Sequence, residues 1–357
     1  MRSSRPKPLH RLCGRPMVLH VLDAAAELDL DRAVVVVGHG AERVTKTLSE
    51  QAPSHLIIDF VEQHVQRGTG DAVSVALTVF PTDELDGSSG DDDGDLVVLP
   101  GDTPLLRPPT LAALVREHRA TDAACTLLTA RVADPTGYGR VVRDRHGRVA
   151  RIVEQADADP EEREIDEICT SIYVFRRSVL APALRRVSPT NAQGEYYLTD
   201  VVGVLHDAGY LVTAMEATDP MECAGVNDRA QLAIAEAELR DRINERWMRR
   251  GVTMLDPERT YIDVGVEIDT DVTLYPGTML QGRTRIATGA EIGPDTRLVD
   301  TVVGEGAIVE PTVGRQAEIG AGARVGPFSF LAPGSRVAPH ALIGPCLAVD
   351  PADGDTR

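Results

Sequence analysis

From residue 262 onward the chain repeats itself. Ile262, Ile268, Leu274, Leu280, Ile286, Ile292 and Leu298 recur every six residues. Val303, Ile308 and Val313 continue at fives, and Ile319, Val325, Leu331, Val337 and Ile343 return to sixes. A helix has a period of about 3.6 and a strand a period of 2, so neither alone places apolar residues this way. A six-residue period fits a three-sided parallel β-helix, in which each hexad forms one side and its apolar residue points inward. Glycine follows the apolar position at Ile292-Gly293, Val303-Gly304, Ile319-Gly320, Val325-Gly326 and Ile343-Gly344, where the chain must turn a corner. At roughly eighteen residues per coil, residues 252–345 make four to five coils of a left-handed parallel β-helix. The acidic tail, residues 346–357, lacks the repeat and is expected to be disordered.

The preceding part follows a different rule. Residues 228–250 carry Leu232, Ala235, Leu239, Ile243 and Trp247 at helical spacing, with Gly251 at the C-terminal cap position. They form a linker helix over 228–251. Residues 1–227 alternate between short apolar runs and helical patterns. Strands are expected at 33–37, 56–61, 96–99, 124–131, 172–175 and 211–214. A hairpin pairs 141–143 with 149–154, and helices follow Pro16 and cover 41–51, 109–119 and 200–208. Such alternation predicts an α/β, doubly wound and mostly parallel sheet. Residues 83–95, D-E-L-D-G-S-S-G-D-D-D-G-D, read as a solvated acidic loop.

Charge and cysteine usage exclude several function classes. A net charge of −18 argues against nucleic acid and against anionic membrane surfaces. No apolar run approaches membrane-spanning length. The five cysteines lie far apart without a C-x-x-C pair, which is neither a disulfide framework nor a zinc site and suits the cytoplasm.

The run Leu96-Val97-Val98-Leu99 reads as a strand buried on both faces, and Pro100-Gly101-Asp102 follows it. In open α/β sheets the ligand crevice lies beyond the carboxyl ends of the strands. Asp102 would serve there as a ligand to a hard cation, and Gly101 would let the backbone approach a substrate. Alone, Asp102 reads more readily as a turn residue ahead of Thr103-Pro104. Glycine turns at Gly38-His39-Gly40, Gly68-Thr69-Gly70 and Gly137-Tyr138-Gly139 expose backbone N–H groups to phosphates and sugars. Asp102 and Asn227 offer oxygens suited to Mg²⁺ held together with substrate phosphates, and Lys7 offers a point charge.

In this order, S-S-R-P-K-P-L-H, V-V-V-G-H-G, G-T-G-D-A, G-D-T-P-L-L, D-P-T-G-Y-G-R, I-V-E-Q-A-D-A, N-A-Q-G-E-Y-Y-L-T-D and G-V-N-D-R resemble a known family. With the hexapeptide repeat, the chain from Met1 to about Ile343 is similar to the bifunctional UDP-N-acetylglucosamine pyrophosphorylase/glucosamine-1-phosphate N-acetyltransferases. The resemblance implies that Asp102 and Asn227 hold Mg²⁺ and that Lys7 contacts the nucleotide phosphates. It implies that Gln63, Gly68 and Thr69 recognise uracil, with Gly101 beside the substrate. Gly139 and Glu154 would bind the N-acetylglucosamine moiety, and Cys169 occupies a further sugar- and ribose-side position. It also implies UTP and a sugar-1-phosphate as substrates, a homotrimer built through the β-helix, and supply of peptidoglycan precursors.

Three departures accompany it. The family's opening L-A-A-G-x-G-T-R-M coincides with this sequence only at its last residue, Met1, so the protein is expected to begin upstream with that strand and loop. The family's E-x-N-T-G reads Glu167-Ile168-Cys169-Thr170-Ser171, a thiol in place of an amide. The family's F-x-x-L-R-P-G reads Phe328-Ser329-Phe330-Leu331-Ala332-Pro333-Gly334, and the later coils with the catalytic histidine and acetyl-CoA site do not follow. The leading expectation is uridylyl transfer without acetyl transfer. Transfer to another sugar phosphate, and a catalytically silent trimeric paralogue, stand as alternatives.

Overall fold

The computed structural model describes residues 1–80 and 94–350. The chain forms two compact units, one of Met1–His10 with Pro16–Gln231 and one of Arg11–Arg15 with Leu232–Arg357.

In the first unit, α1 (Met17–Ala26), β1 (Ala33–Val37), α2 (Ala41–Gln51), β2 (Ile58–Glu62) and α3 (Thr69–Leu77) come first. Then follow β3 (Asp95–Val98), α4 (Pro108–Thr121), β4 (Cys125–Arg131), β5 (Gly139–Arg143), β6 (Val149–Val153) and β7 (Glu167–Arg176). The unit closes with α5 (Arg177–Leu184), α6 (Asp200–Asp207) and β8 (Val212–Glu216). The acidic loop expected over 83–95 lies outside the described residues except at its end. There Asp95 opens β3, and its carboxylate accepts from Arg119 Nε at 2.6 Å.

The two-residue period of a strand explains how β7 divides the core. Ile172 and Val174 pack with Leu111 and Leu114 of α4 and with Leu128, while Tyr173 and Phe175 pack on the other face with Leu127, Leu180 of α5 and Val201 of α6. Helices therefore cover both faces of the sheet, as the alternation predicts. The pairing directions differ from the expectation of a mostly parallel sheet. Strand order is β8-β4-β7-β5-β6 with β3 also on β7, and β7 runs antiparallel to β3, β4 and β5. Among the described residues only β8 and β4 pair in parallel there. The cause is the β5–β6 hairpin, which reverses the chain before β7 enters. The strand expected at 172–175 is ten residues long. Ser171 at φ 61° and a register shift opposite it, between Leu127 and Thr129, interrupt the alternation that would have shown this.

Strands β1 and β2 pair in parallel as a separate two-stranded sheet. Among the described residues each of β1 and β3 pairs along one edge only. Between them lies a cavity of about 2040 Å³, lined by Val34, Val35, Val36, Leu96, Val97 and Leu99 among others. These residues are half-buried, whereas Leu96–Leu99 were expected to be buried on both faces. The missing burial is on the unpaired edge.

The second unit is a parallel β-solenoid of about five turns, consistent with a left-handed β-helix, with three sheets of six, six and five strands. Inward residues stack in register: Ile262 with Leu280 and Leu298, Ile268 with Ile286 and Val303, Leu274 with Ile292 and Val309. The phase of the shortened repeats is corrected by the structure. Val309 is fully buried rather than Ile308, and Gly314 rather than Val313 lies between Leu298 and Leu331. Leu298 and Leu331 fill the space, and a Cβ at 314 would lie 3.1 Å from Leu298 Cδ2, so Val313 turns outward. The glycines after inward residues carry a close contact between coils: a Cβ at Gly320 would lie 2.5 Å from the Pro339 nitrogen. The tail expected to be disordered from Cys346 continues the coil, since Ala348 and Val349 pair with Phe330 and Leu331 and Val349 is buried. Residues 351–357 lie outside the described residues.

The helix expected over 228–250 is α7 (Arg229–Arg249), with Ala235, Ile243 and Trp247 buried. Arg11–Arg15, expected within a domain of 1–227, belongs to the solenoid unit. Cys13 is buried there, its N–H donates to Glu236 Oε2 at 2.9 Å and its carbonyl accepts from Val264 N–H at 3.0 Å.

Candidate active site

Strand β3 ends at Val98 and the chain turns through Pro100-Gly101 to Asp102. Val226 N–H donates to the Asp102 carbonyl at 2.9 Å, which brings Asn227 beside Asp102 from a segment more than a hundred residues away. The Asn227 N–H donates to Gln231 Oε1 at 2.6 Å, and Asp228 Oδ1 accepts from Gln231 N–H, fixing the approach to α7. Lys7 then meets both side chains: its Nζ lies 2.5 Å from Asp102 Oδ2 and 2.6 Å from Asn227 Oδ1. Lys7 and Asp102 are partly exposed, so this is an open, polar site. Two oxygens converging on one cationic centre are the donor set a hard divalent ion uses. No group of three or more His, Cys, Asp or Glu that could hold a metal occurs among the described residues.

Gln63 follows β2, held by its N–H to the Val37 carbonyl at 2.8 Å. Its Nε2 donates to Asp71 Oδ2 at 2.7 Å and to the Gly68 carbonyl at 3.2 Å. The glycine turn before α3 is packed against the 196–198 segment. Gly70 N–H donates to Tyr196 O at 2.8 Å, Tyr196 N–H to Arg67 O at 2.8 Å and Leu198 N–H to Thr69 Oγ1 at 3.0 Å. Gly68 has φ 108°, and a Cβ there would lie 2.6 Å from Tyr196 O. The need for glycine at 68 is therefore explained by this packing without any ligand. Gly101, in contrast, has room, its nearest Cβ contact being Val18 at 3.6 Å.

Gly139 and Glu154, expected on the sugar side, sit at the β5–β6 hairpin. A Cβ at Gly139 would meet Ile152 Cγ2 at 2.9 Å and Glu154 Oε2 at 3.5 Å. Glu154 Oε1 accepts from Thr199 Oγ1 at 2.9 Å. Burial pushes the Glu154 carboxyl above its ordinary value; the Thr199 hydroxyl offsets part of this, and the charges of Asp200 and Asp157 add to it. Cys169 departs from the expectation of a substrate contact. It is 3% exposed and its Sγ lies 3.1 Å from Tyr173 Oη, inside the core. Burial pushes this thiol up to about 11. Its position on β7, four residues before Tyr173, points it to the face that also holds Tyr173 and Phe175.

Residues not foreseen complete the site. Asp71 takes Gln63 on one oxygen and Arg67 Nη2 at 2.8 Å on the other. Arg140 is 2% exposed and donates to the Tyr138 carbonyl and, at 2.7 Å, to Gln155 Oε1, which also accepts from Gly137 N–H at 3.3 Å. These bonds fix the Gly137-Tyr138-Gly139 turn. Arg67 and Asp71 stand four residues apart across the glycine turn, a spacing that could have signalled the pair. The Arg140–Gln155 pair crosses a hairpin, and its register was not readable from spacing.

A nucleotidyl transferase family profile matches residues 2–249. The bifunctional protein GlmU of Thermobifida fusca (strain YX) is 49% identical over 320 residues, 90% of this chain and 64% of that protein. That of Streptomyces avermitilis is 48% identical over 331 residues, 92% of this chain and 66% of that protein. That of Desulfitobacterium hafniense (strain DSM 10664 / DCB-2) is 44% identical over 330 residues, 92% of this chain and 69% of that protein. The chain thus spans about two thirds of the length of the relatives it matches. It belongs to the nucleotidyl transferase family, within the group of GlmU proteins.

Proposed function

We propose that the first unit is a uridylyltransferase. It forms UDP-N-acetylglucosamine and pyrophosphate from UTP and N-acetylglucosamine 1-phosphate, a precursor for peptidoglycan. The observation that carries this is the convergence of Lys7, Asp102 and Asn227 beyond the end of β3, in a chain of this family. Asp102 and Asn227 would hold Mg²⁺, which would neutralise phosphate charge. Lys7 bridges both oxygens and would turn its ammonium to the phosphates of UTP. Gln63, Gly68 and Thr69 line the base side; Gly101, Gly139 and Glu154 line the sugar side. The attacking oxygen belongs to a phosphate that is already anionic, so positioning and charge neutralisation suffice and no general base is needed. A panel of UTP, CTP and dTTP against N-acetylglucosamine, glucose and galactose 1-phosphates, read as pyrophosphate released, tests the assignment. Fastest release with UTP and N-acetylglucosamine 1-phosphate is expected.

A second reading, transfer to another sugar phosphate, is favoured by Cys169, whose buried thiol bonds Tyr173 instead of offering an amide to a sugar. The same panel separates the two, and no release with any pair supports a silent paralogue. Acetyl transfer is not part of the proposal. Ala332 lacks the guanidinium fork that grips phosphate, and the coils to Val349 are assigned a structural role. A UTP-dependent reaction belongs to the cytoplasm, and no described helix is long and apolar enough to cross a membrane.

Glu154 gives a pH-dependent expectation. Its folded pKa lies above the unfolded one, so the native state binds more protons through that window, and stability falls as pH rises across it. Glu154→Gln removes the buried charge and keeps an acceptor for Thr199. The variant is expected to melt higher than wild type at pH 7, to match it below the unfolded carboxylate range, and to show a raised KM for the sugar phosphate. Equal melting points at pH 7 would contradict the placement of a charged Glu154 in this environment.

We propose further that the solenoid makes a homotrimer. One outward column carries Met279, Arg297, Val313 and Phe330, with Val313 37% and Phe330 42% exposed beside one another. A different face instead carries the ion pairs Glu267–Arg285 at 3.0 Å and Glu318–Arg336 at 3.1 Å, which suit solvent. The double variant Val313→Glu, Phe330→Glu is expected to turn a trimer into a folded monomer in light scattering. A wild-type monomer at micromolar concentration, or an unchanged mass in the variant, would refute this.

A further inference from the structure

The geometry points to Asp71 as the residue that sets base selection, by fixing which end of the Gln63 carboxamide faces the ligand. The inference rests on the nucleotidyl-transfer reading above and adds a positioning residue to it. A carboxylate accepts hydrogen bonds and does not donate them, so the Gln63 atom 2.7 Å from Asp71 Oδ2 must be the amide nitrogen. The second proton of that nitrogen goes to the Gly68 carbonyl at 3.2 Å. Both donors of Gln63 are thereby used, and no hydrogen bond to Oε1 is found among the described residues. Gln63 can offer a ligand an acceptor and nothing else. Asp71 is itself held in place, since its other oxygen takes Arg67 Nη2 at 2.8 Å and it sits in the first turn of α3.

The chemical consequence is a choice between bases. Uracil carries N–H at position 3, which Oε1 can accept. Cytosine carries a lone pair there, so two acceptors would face each other and one would remain unpaired. The selected class is a nucleotide whose base presents an imide N–H, meaning uridine and thymidine nucleotides, against cytidine nucleotides. Without the fixed carboxylate the amide could turn over and present Nε2, a donor that suits cytosine.

Equilibrium binding of UTP and CTP, by calorimetry on the full chain with Mg²⁺, tests this without relying on turnover. Wild type should prefer UTP over CTP by at least about tenfold, the size of one hydrogen bond gained against one lost. Asp71→Asn can both donate and accept, so the UTP/CTP ratio should fall toward one. Asp71→Ser, smaller and also able to do both, gives the same readout should the asparagine variant not fold. Arg67→Ala removes one support of the Asp71 carboxylate but leaves the Asp71–Gln63 bond, and should lower the ratio less than either Asp71 variant does. A merely structural role would weaken both nucleotides alike, so an unchanged ratio in the Asp71 variants overturns the proposal. Wild type that binds neither nucleotide, or both equally, overturns it together with the reading beneath it, whereas a wild-type preference that survives in the variants overturns it alone.

Discussion

Replacing Asp102 with asparagine is expected to slow UDP-sugar formation roughly a hundred- to a thousandfold, the usual effect of removing one group that positions charge in a transition state. The size of the side chain is unchanged, but the carboxylate that meets Lys7 beside Asn227 is gone. Stability should barely move. The Lys7–Asp102 pair is partly exposed on both sides, and pairs of this kind contribute about 0–1 kcal/mol, against about 5–15 kcal/mol for a domain. The loss of rate and the preserved melting point, measured on one preparation, separate a catalytic role from a folding role. Wild-type turnover in Asp102→Asn would remove Asp102 from the mechanism.

The second large effect concerns the cavity between β1 and β3. Two apolar strand edges face it, and their side chains remain half-buried. An added apolar strand in that slot would bury several aliphatic side chains at about 1.5–3 kcal/mol each, on the order of 10 kcal/mol in all. That is comparable to the whole stability of a domain. The protein is therefore expected to bind an apolar dye such as anilinonaphthalene sulfonate and to unfold at low urea. Joining a five-residue valine- and isoleucine-rich strand ahead of Met1 through a glycine-rich turn should raise the urea midpoint and abolish dye binding. A serine- and glycine-rich extension of equal length should do neither. Equal midpoints for the two extensions would mean that the slot is not a strand site.

The legible parts of this protein are those governed by a single local rule. The six-residue period placed most solenoid core positions, because each coil repeats one interaction with its neighbour. It slipped only at Ile308 and Val313, where Gly314 takes the inward place and larger neighbours fill the gap. Helices with clear apolar faces were placed to within a few residues, α2 at its observed limits. The direction of β7 was not legible, since a strand's pattern is the same whichever way it runs. Its length was hidden by the bulge at Ser171.

The site shows the same division. Asp102, Asn227 and Lys7 were singled out from residue type and order, and the structure brings them together. Cys169 was expected at a ligand, but the phase of β7 turns it into the core. Asp71 and Arg140 were missed because they act on other side chains, and such pairings depend on tertiary contacts that no single stretch of sequence carries.

Running the reaction backwards gives the most direct test of the central claim. The protein would be mixed with UDP-N-acetylglucosamine, pyrophosphate and Mg²⁺, and the phosphorus resonances followed with time. Equal amounts of UTP and N-acetylglucosamine 1-phosphate should form, and formation should stop when the metal is chelated. A folded protein that yields no UTP, or yields it at the same rate in chelator, would contradict a metal-assisted uridylyl transfer at Asp102 and Asn227.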